Sequence, residues 1–128
     1  MAASTMILAD TNVLIELFKG NQSVLADLQQ IGPHNIAVSA VTMMELYCGA
    51  LNKLELQRIR KYLSSFHLCR IEPEVSGRAT LLIERYAKSY GLLIPDALIA
   101  ATAMVKSYPL MTLNLKDFRY MDGLVLYS

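Results

Sequence analysis

The sequence predicts an α/β domain, a central and mostly parallel sheet between helices. Two observations carry that prediction. Short apolar runs recur at residues 6–10, 36–39, 67–71, 110–113 and 123–127, and helical spacing fills the gaps between them. Strands that alternate with helices in this way build parallel sheets. A third observation is compositional: of 128 residues, 54% are hydrophobic and only 18% charged. A chain of that length makes one domain with a core of its own and needs no disulfide or structural metal to hold it. The low charge excludes a disordered tail.

Each element has a local reason. Residues 6–10, Met-Ile-Leu-Ala-Asp, form an apolar run that ends in an acid, as a buried parallel strand does. Over residues 12–19, Val13, Leu14, Leu17 and Phe18 recur at helical spacing until Gly20-Asn21. Residues 23–30 form a second helix with Ser23 as its expected cap, stopped by Gly32-Pro33. A strand at 36–39 leads to a helix over 42–49, closed by Gly49. The helix over 54–66 carries Leu54, Ile59, Tyr62 and Leu63 on one side and Arg58 and Lys61 on another. After the strand at 67–71, Glu72-Pro73 opens a long helix to Tyr90, with Val75, Ala79, Leu82, Ile83 and Tyr86 inward and Gly91 as its stop. Pro95-Asp96 opens a helix that is apolar nearly all round and therefore central. Strands at 110–113 and 123–127 complete the sheet.

Charge and cysteine content narrow the function classes. Twelve Lys and Arg against 11 Asp and Glu leave a net charge of +1, which excludes a strongly basic nucleic-acid clamp but not a local basic patch. No apolar stretch reaches the length of a membrane span, and residues 1–5 carry no Lys or Arg and no signal-peptide pattern. Cys48 and Cys69 read as two thiols of a reducing cytosol, which places the chain in the cytoplasm.

Open parallel sheets keep their chemistry beyond the carboxyl ends of the strands. Asp10 ends the first strand there, and Asn114 and Asp117 follow the fourth. Glu45 and Asp96 sit near helix starts that face the same edge. Two carboxylates about 5 Å apart at an effective dielectric near 20 repel by about 3 kcal/mol. A cluster of them therefore calls for protons, basic partners or a hard cation, Mg²⁺ or Mn²⁺. Zinc is disfavoured, because neither His34 nor His67 lies near these acids in sequence. Each residue also has a local alternative. Asp10 can cap the following helix, and Asp96 can be a helix-dipole acid. Glu45 follows Thr42 at capping-box spacing, although Ser39 competes as the cap. Asn114 can form an Asx-turn and Asp117 a turn or capping contact.

Four blocks of residues resemble a known family. Residues 7–15, Ile-Leu-Ala-Asp-Thr-Asn-Val-Leu-Ile, resemble the opening strand and first acid of a PIN domain. Residues 38–46, Val-Ser-Ala-Val-Thr-Met-Met-Glu-Leu, are similar to the second block, with Glu45 as its acid. Residues 94–103, Ile-Pro-Asp-Ala-Leu-Ile-Ala-Ala-Thr-Ala, are similar to the third, whose acid falls on Asp96. Residues 110–118, Leu-Met-Thr-Leu-Asn-Leu-Lys-Asp-Phe, resemble the fourth. Many members carry Asp at the position of Asn114; the VapC-like toxins of toxin–antitoxin pairs often carry Asn there with an acid three residues on, as Asp117 is here.

That resemblance implies a single PIN-like domain over residues 1–128, with strand order 3-2-1-4-5, and a metal-dependent endoribonuclease. Asp10, Asp96 and Glu45 would bind Mg²⁺, with Mn²⁺ as a substitute, and converge within a few ångström of one point. Asn114 and Asp117 would tune that site, and Asn12 and Thr112 would hold the carboxylates in place. Arg58, Arg60, Lys61, Lys116 and Arg119 would meet RNA phosphates. The implied partners are an antitoxin that blocks the acidic site and a second copy of the chain. Phe18, Met43, Met44, Tyr47 and Tyr90 are apolar excess for such surfaces. Two other classes compete: a catalytically silent RNA- or protein-binding module on the same fold, and a haloacid-dehalogenase-like phosphatase. The latter needs a second Asp where Asn12 stands.

Overall fold

The computed structural model describes residues 6–128; residues 1–5, read above as free of a signal-peptide pattern, lie outside the described residues. Four parallel strands, β1 (Ile7–Ala9), β2 (Ile36–Ser39), β3 (His67–Cys69) and β4 (Leu110–Met111), pair in the order β3-β2-β1-β4. The register sets Ile7 beside Ile36, Ala37 beside His67 and Leu8 beside Leu110.

The side-chain alternation of a strand sends successive residues to opposite faces, and here both faces are covered. Ile7, Ala9, Ile36, Val38 and Met111 pack beneath α1 (Thr11–Phe18), α2 (Gln22–Ile31), α3 (Ala40–Cys48) and α4 (Lys53–Leu63). Leu8, Ala37 and Leu110 pack against α5 (Pro73–Tyr90) and α6 (Ile94–Lys106) on the other face. The chain thus runs outward from β1 to β3 over one face and returns across the other to β4. Its switch point lies between β1 and β4, and the carboxyl ends of those strands open a crevice there.

α6 is buried along Ala97, Ile99, Ala100, Ala101, Thr102 and Ala103, as its uniform apolarity predicts. α5 turns Val75, Ala79, Leu82 and Tyr86 inward and ends at Gly91 in the left-handed region, φ 72°. Cys69 is buried and Cys48 exposed, and both are free thiols.

Several expectations are corrected. The fifth strand is only one parallel bridge, Leu110 to Leu126, held by bonds from Leu110 N to Val125 O and from Tyr127 N to Leu110 O, each 2.8 Å. Its partner β4 has just two residues, because Thr112 and Leu113 leave the ladder to bond Asp10 and Asn12. The cap of α2 is Asn21, whose Oδ1 accepts from Val24 N at 3.2 Å; Ser23 lies inside the helix. α3 begins two residues early, because Ser39 Oγ accepts from both Val41 N (3.0 Å) and Thr42 N (3.3 Å). On α4 only Ile59 and Leu63 are buried, while Leu54 and Tyr62 are exposed.

Ser39→Ala removes a buried cap and should cost about 1–2 kcal/mol in urea-induced unfolding. Ser23→Ala, on the exposed side of α2, should change stability by less than about 0.5 kcal/mol. Equal effects would contradict the cap assignment.

Candidate active site

Asp10 is the residue at which β1 becomes α1. It is 5% exposed, and both its oxygens are bonded: Oδ1 accepts from Thr11 N and Oδ2 from Thr112 Oγ1, each at 2.8 Å. The capping alternative is therefore realised, but with one oxygen only. Thr112 is itself fixed, since its hydroxyl oxygen accepts from Asn114 N at 3.1 Å and from Asn12 Nδ2 at 3.5 Å. Asn12 Oδ1 accepts from Leu113 N at 3.3 Å. Asn12 and Thr112 thus stitch the segment after β4 to the start of α1.

With Ser39 as the cap of α3, Glu45 is not drawn back to Thr42. It accepts instead from the Thr11 hydroxyl at 2.6 Å. The Thr11 oxygen stands 2.9 Å from the hydroxyl of the fully buried Thr42. Asn114 and Asp117 turn toward each other, Asn114 Nδ2 donating to Asp117 Oδ2 at 2.6 Å. Asp96 lies in the first turn of α6.

These residues share one small open cleft of about 180 Å³ at the switch point. Asp10, Glu45, Asp96, Asn114 and Asp117 line it, with the buried Phe118 as an apolar side. Sequence reasoning missed Thr11 and Thr42. The only signal for Thr11 was its place beside Asp10, and the spacing of Thr42 pointed to a cap. Neither histidine lines the cleft. Arg58 belongs to a neighbouring groove; Arg60 and Lys61 on α4 and Lys116 and Arg119 near Asp117 are exposed.

The electrostatics follow from the gathering of like charges. Among the described residues the ion pairs are Lys19–Glu16 and Lys106–Glu72, so no cation pairs with the cleft acids. Desolvation first, and then the charges of Asp10, Asp117 and Glu45, push the Asp96 carboxyl up to about 6. Burial also raises Asp10, opposed by its bonds from Thr112 and Thr11. As donors the four carboxylates fit a hard divalent cation: all oxygen, negative and with no basic side chain in the lining. The expected convergence on one point is not reached. Among the described residues no three acids stand close enough to hold an ion together. The bonds to Thr11, Thr112 and Asn114 fix Glu45, Asp10 and Asp117 each to a separate partner.

Fold and cleft together define a class, doubly wound parallel α/β domains with carboxylates gathered at the switch point. The sequence matches the PIN domain family model over residues 7–124, and the chain belongs to that family. It is similar to Ribonuclease VapC1 of Methanocaldococcus jannaschii, 34% identical over 95% of this chain and 87% of the relative. It is also similar to Ribonuclease VapC10 of Mycobacterium tuberculosis, at 32% over 93% and 90%. Among solved structures, a chain of a toxin–antitoxin complex from Klebsiella pneumoniae superposes with a TM-score of 0.79 at 37% identity, covering 93% of this chain and 95% of that one.

Asp96 titrates near 3.8 in an unfolded chain and near 6 in the fold. Between those values the folded state binds more protons, so its stability falls as pH rises through that window. Metal-free protein should therefore melt higher at pH 5 than at pH 7. Asp96→Asn should raise stability at pH 7 by on the order of 1 kcal/mol after solvent screening and shrink the difference. A melting temperature that rises from pH 5 to 7 would refute this account of the cleft.

Proposed function

We propose that this chain is a divalent-metal-dependent endoribonuclease, a single cytoplasmic domain and the toxin of a VapBC-type pair. The observation that carries the reading is four carboxylates in one cleft with no cation paired to any of them among the described residues. Membership in the PIN family and similarity to named VapC ribonucleases support it. Among the described residues no helix is long and apolar enough to cross a membrane.

Asp10, Glu45 and Asp96 are the residues that would hold Mg²⁺, or Mn²⁺ in its place, directly or through water. A bound divalent cation supplies a lowered water pKa and neutralises charge on the scissile phosphate. The protein's own groups do the rest. Thr11 and Thr112 donate to Glu45 and Asp10 and orient these carboxylates. Asn114, through Asp117, sets the outer wall without adding charge. Lys116 and Arg119 lie on the segment that carries Asp117 and are placed to meet RNA phosphates.

The partner reading attaches to a second feature. An apolar groove of about 660 Å³ runs between α1, α3 and α4, and shares Ile15 and Glu45 with the cleft. Phe18, Leu51, Ile59 and Tyr62 line it, and Arg58 and Glu55 give it polar contacts. An antitoxin segment laid there reaches the acids directly, and a basic side chain on it would pair with them. Met43 and Tyr47 are half-buried against the core, which leaves Met44, 52% exposed, as the residue of α3 for contact between two copies.

Purified protein should cleave single-stranded RNA with Mg²⁺ and not with EDTA, and Asp96→Asn should lower the rate more than about a hundredfold without unfolding. Mg²⁺ should also raise the melting temperature of the unsubstituted protein, since a ligand that binds only the folded state stabilises it. An intact fold with no Mg²⁺-dependent cleavage would leave the silent binding module in its place. Phe18→Glu should weaken co-purification with the product of the adjacent gene while sparing RNA cleavage; unchanged co-purification would remove the groove from the partner reading.

A further inference from the structure

Three tyrosines stand together at the end of α5 and beyond β4. Tyr90 and Tyr120 are stacked, with ring centroids 4.2 Å apart and planes 3° from parallel. Tyr86 meets both edge-on, at 5.9 Å and 63° to Tyr90 and at 5.3 Å and 65° to Tyr120. Tyr86 is buried, and its hydroxyl accepts from Asp122 N at 3.0 Å, so the base of the cluster is fixed at two points. Tyr90 is 59% exposed. One face of its ring lies on Tyr120, and the other faces solvent.

The core does not require this arrangement. Parallel stacking is a stable arrangement for an aromatic pair, but an exposed Tyr at a helix end gains little from burial. Its place in the chain is informative. Tyr90 is six residues before Asp96, and Tyr120 three after Asp117. The two rings thus sit on the two segments that carry the outer acids of the cleft. Burial first, and then the charges of Asp96 and Asp117 ahead of the two neighbouring tyrosines, raise the pKa of the Tyr120 hydroxyl, in keeping with a stack that lies near these acids.

We infer that the open face of Tyr90, backed by Tyr120, is a stacking platform for one base of single-stranded RNA beside the acid cleft. Single-stranded nucleic acid is held by aromatic faces more than by base-edge contacts, because every base has a face to stack. A ring braced from behind loses little freedom when a base settles on it. Arg119, next to Tyr120 and exposed, is placed to meet the adjoining phosphate. Pyrimidines and purines both fit, so the platform would set the register of the strand rather than read its sequence. A protein docking on the same ring is the competing occupant; a single braced ring beside an exposed Arg119 matches one base and its phosphate.

This inference rests on the proposed ribonuclease reading, and the test separates the two. The full chain carrying Asp96→Asn, so that RNA survives, is titrated with a fluorescein-labelled single-stranded oligoribonucleotide and read by anisotropy. Adding Tyr90→Ala should weaken binding about tenfold, and adding Tyr90→Phe, which keeps the ring, should not. Oligonucleotides with one abasic site stepped along the strand should show a position where binding is weak already and Tyr90→Ala costs nothing more. Equal affinity of the Ala and Phe variants, or a Tyr90→Ala loss that is the same at every abasic position, would overturn the platform while leaving the ribonuclease reading intact. A shift of Tyr90→Ala in sedimentation with unchanged RNA affinity would assign the ring to a protein contact instead. No cleavage and no binding by the unsubstituted protein would remove both readings.

Discussion

A carboxylate buried to 5% exposure is costly unless its oxygens are bonded, and at Asp10 they are. Its two hydrogen bonds come from different parts of the chain: the first amide of α1 and the hydroxyl of Thr112, 102 residues away. The geometry of the cleft depends on this arrangement. β1 ends where α1 begins because Asp10 caps the helix. β4 ends after two residues because Thr112 turns out of the ladder to reach Asp10. Asn12 ties the same two segments through Leu113 N. The switch point of the sheet is thereby closed by side chains rather than by further strand pairing, and the other acids are set around a fixed centre.

What the residues revealed in advance was mostly what local chemistry decides. The inward faces of α5 and α6 were legible because helical spacing and burial coincide there. The acids were legible because an apolar run that stops at an acid is a local pattern. Long-range choices were hidden. Residues 123–127 have the composition of a strand, but a strand needs a partner, and the edge they reach is a two-residue β4. Leu54 and Tyr62 have the spacing of a buried stripe on α4. Both are exposed, and Tyr62 lines an open groove rather than the core. Thr11 and Thr42 went unseen because a hydroxyl acquires its role from what folds opposite it, and Glu45 is 34 residues from Thr11.

The contest over Glu45 shows how one local preference positions a distant group. Thr42 and Glu45 have capping-box spacing, and had Thr42 been the cap, Glu45 would have bent back to the helix start. Ser39 takes that task one turn earlier with two amide bonds. Thr42 becomes a fully buried helix residue whose hydroxyl meets Thr11, and Glu45 is released toward the cleft. The placement of an acid thus follows from the identity of a serine six residues before it.

The same like-charge constraint explains why the cleft is both open and held. Four carboxylates cannot close on one point without a counter-charge, since each close pair costs about 3 kcal/mol at intermediate dielectric. The structure answers with distance and with hydroxyl and amide donors, neutral groups that orient an oxygen without neutralising it. A basic side chain there would have relieved the repulsion permanently. Its absence among the described residues leaves Asp96 protonating near 6, so the charge of the cleft stays responsive to protons, cations and the basic groups of a partner. The apolar groove shares Ile15 and Glu45 with this acidic centre, and the stacked tyrosines stand six residues before Asp96 and three after Asp117. A ligand engaging the proposed groove or the proposed platform would meet the same unneutralised charge, which would let surfaces on different helical layers act on one site.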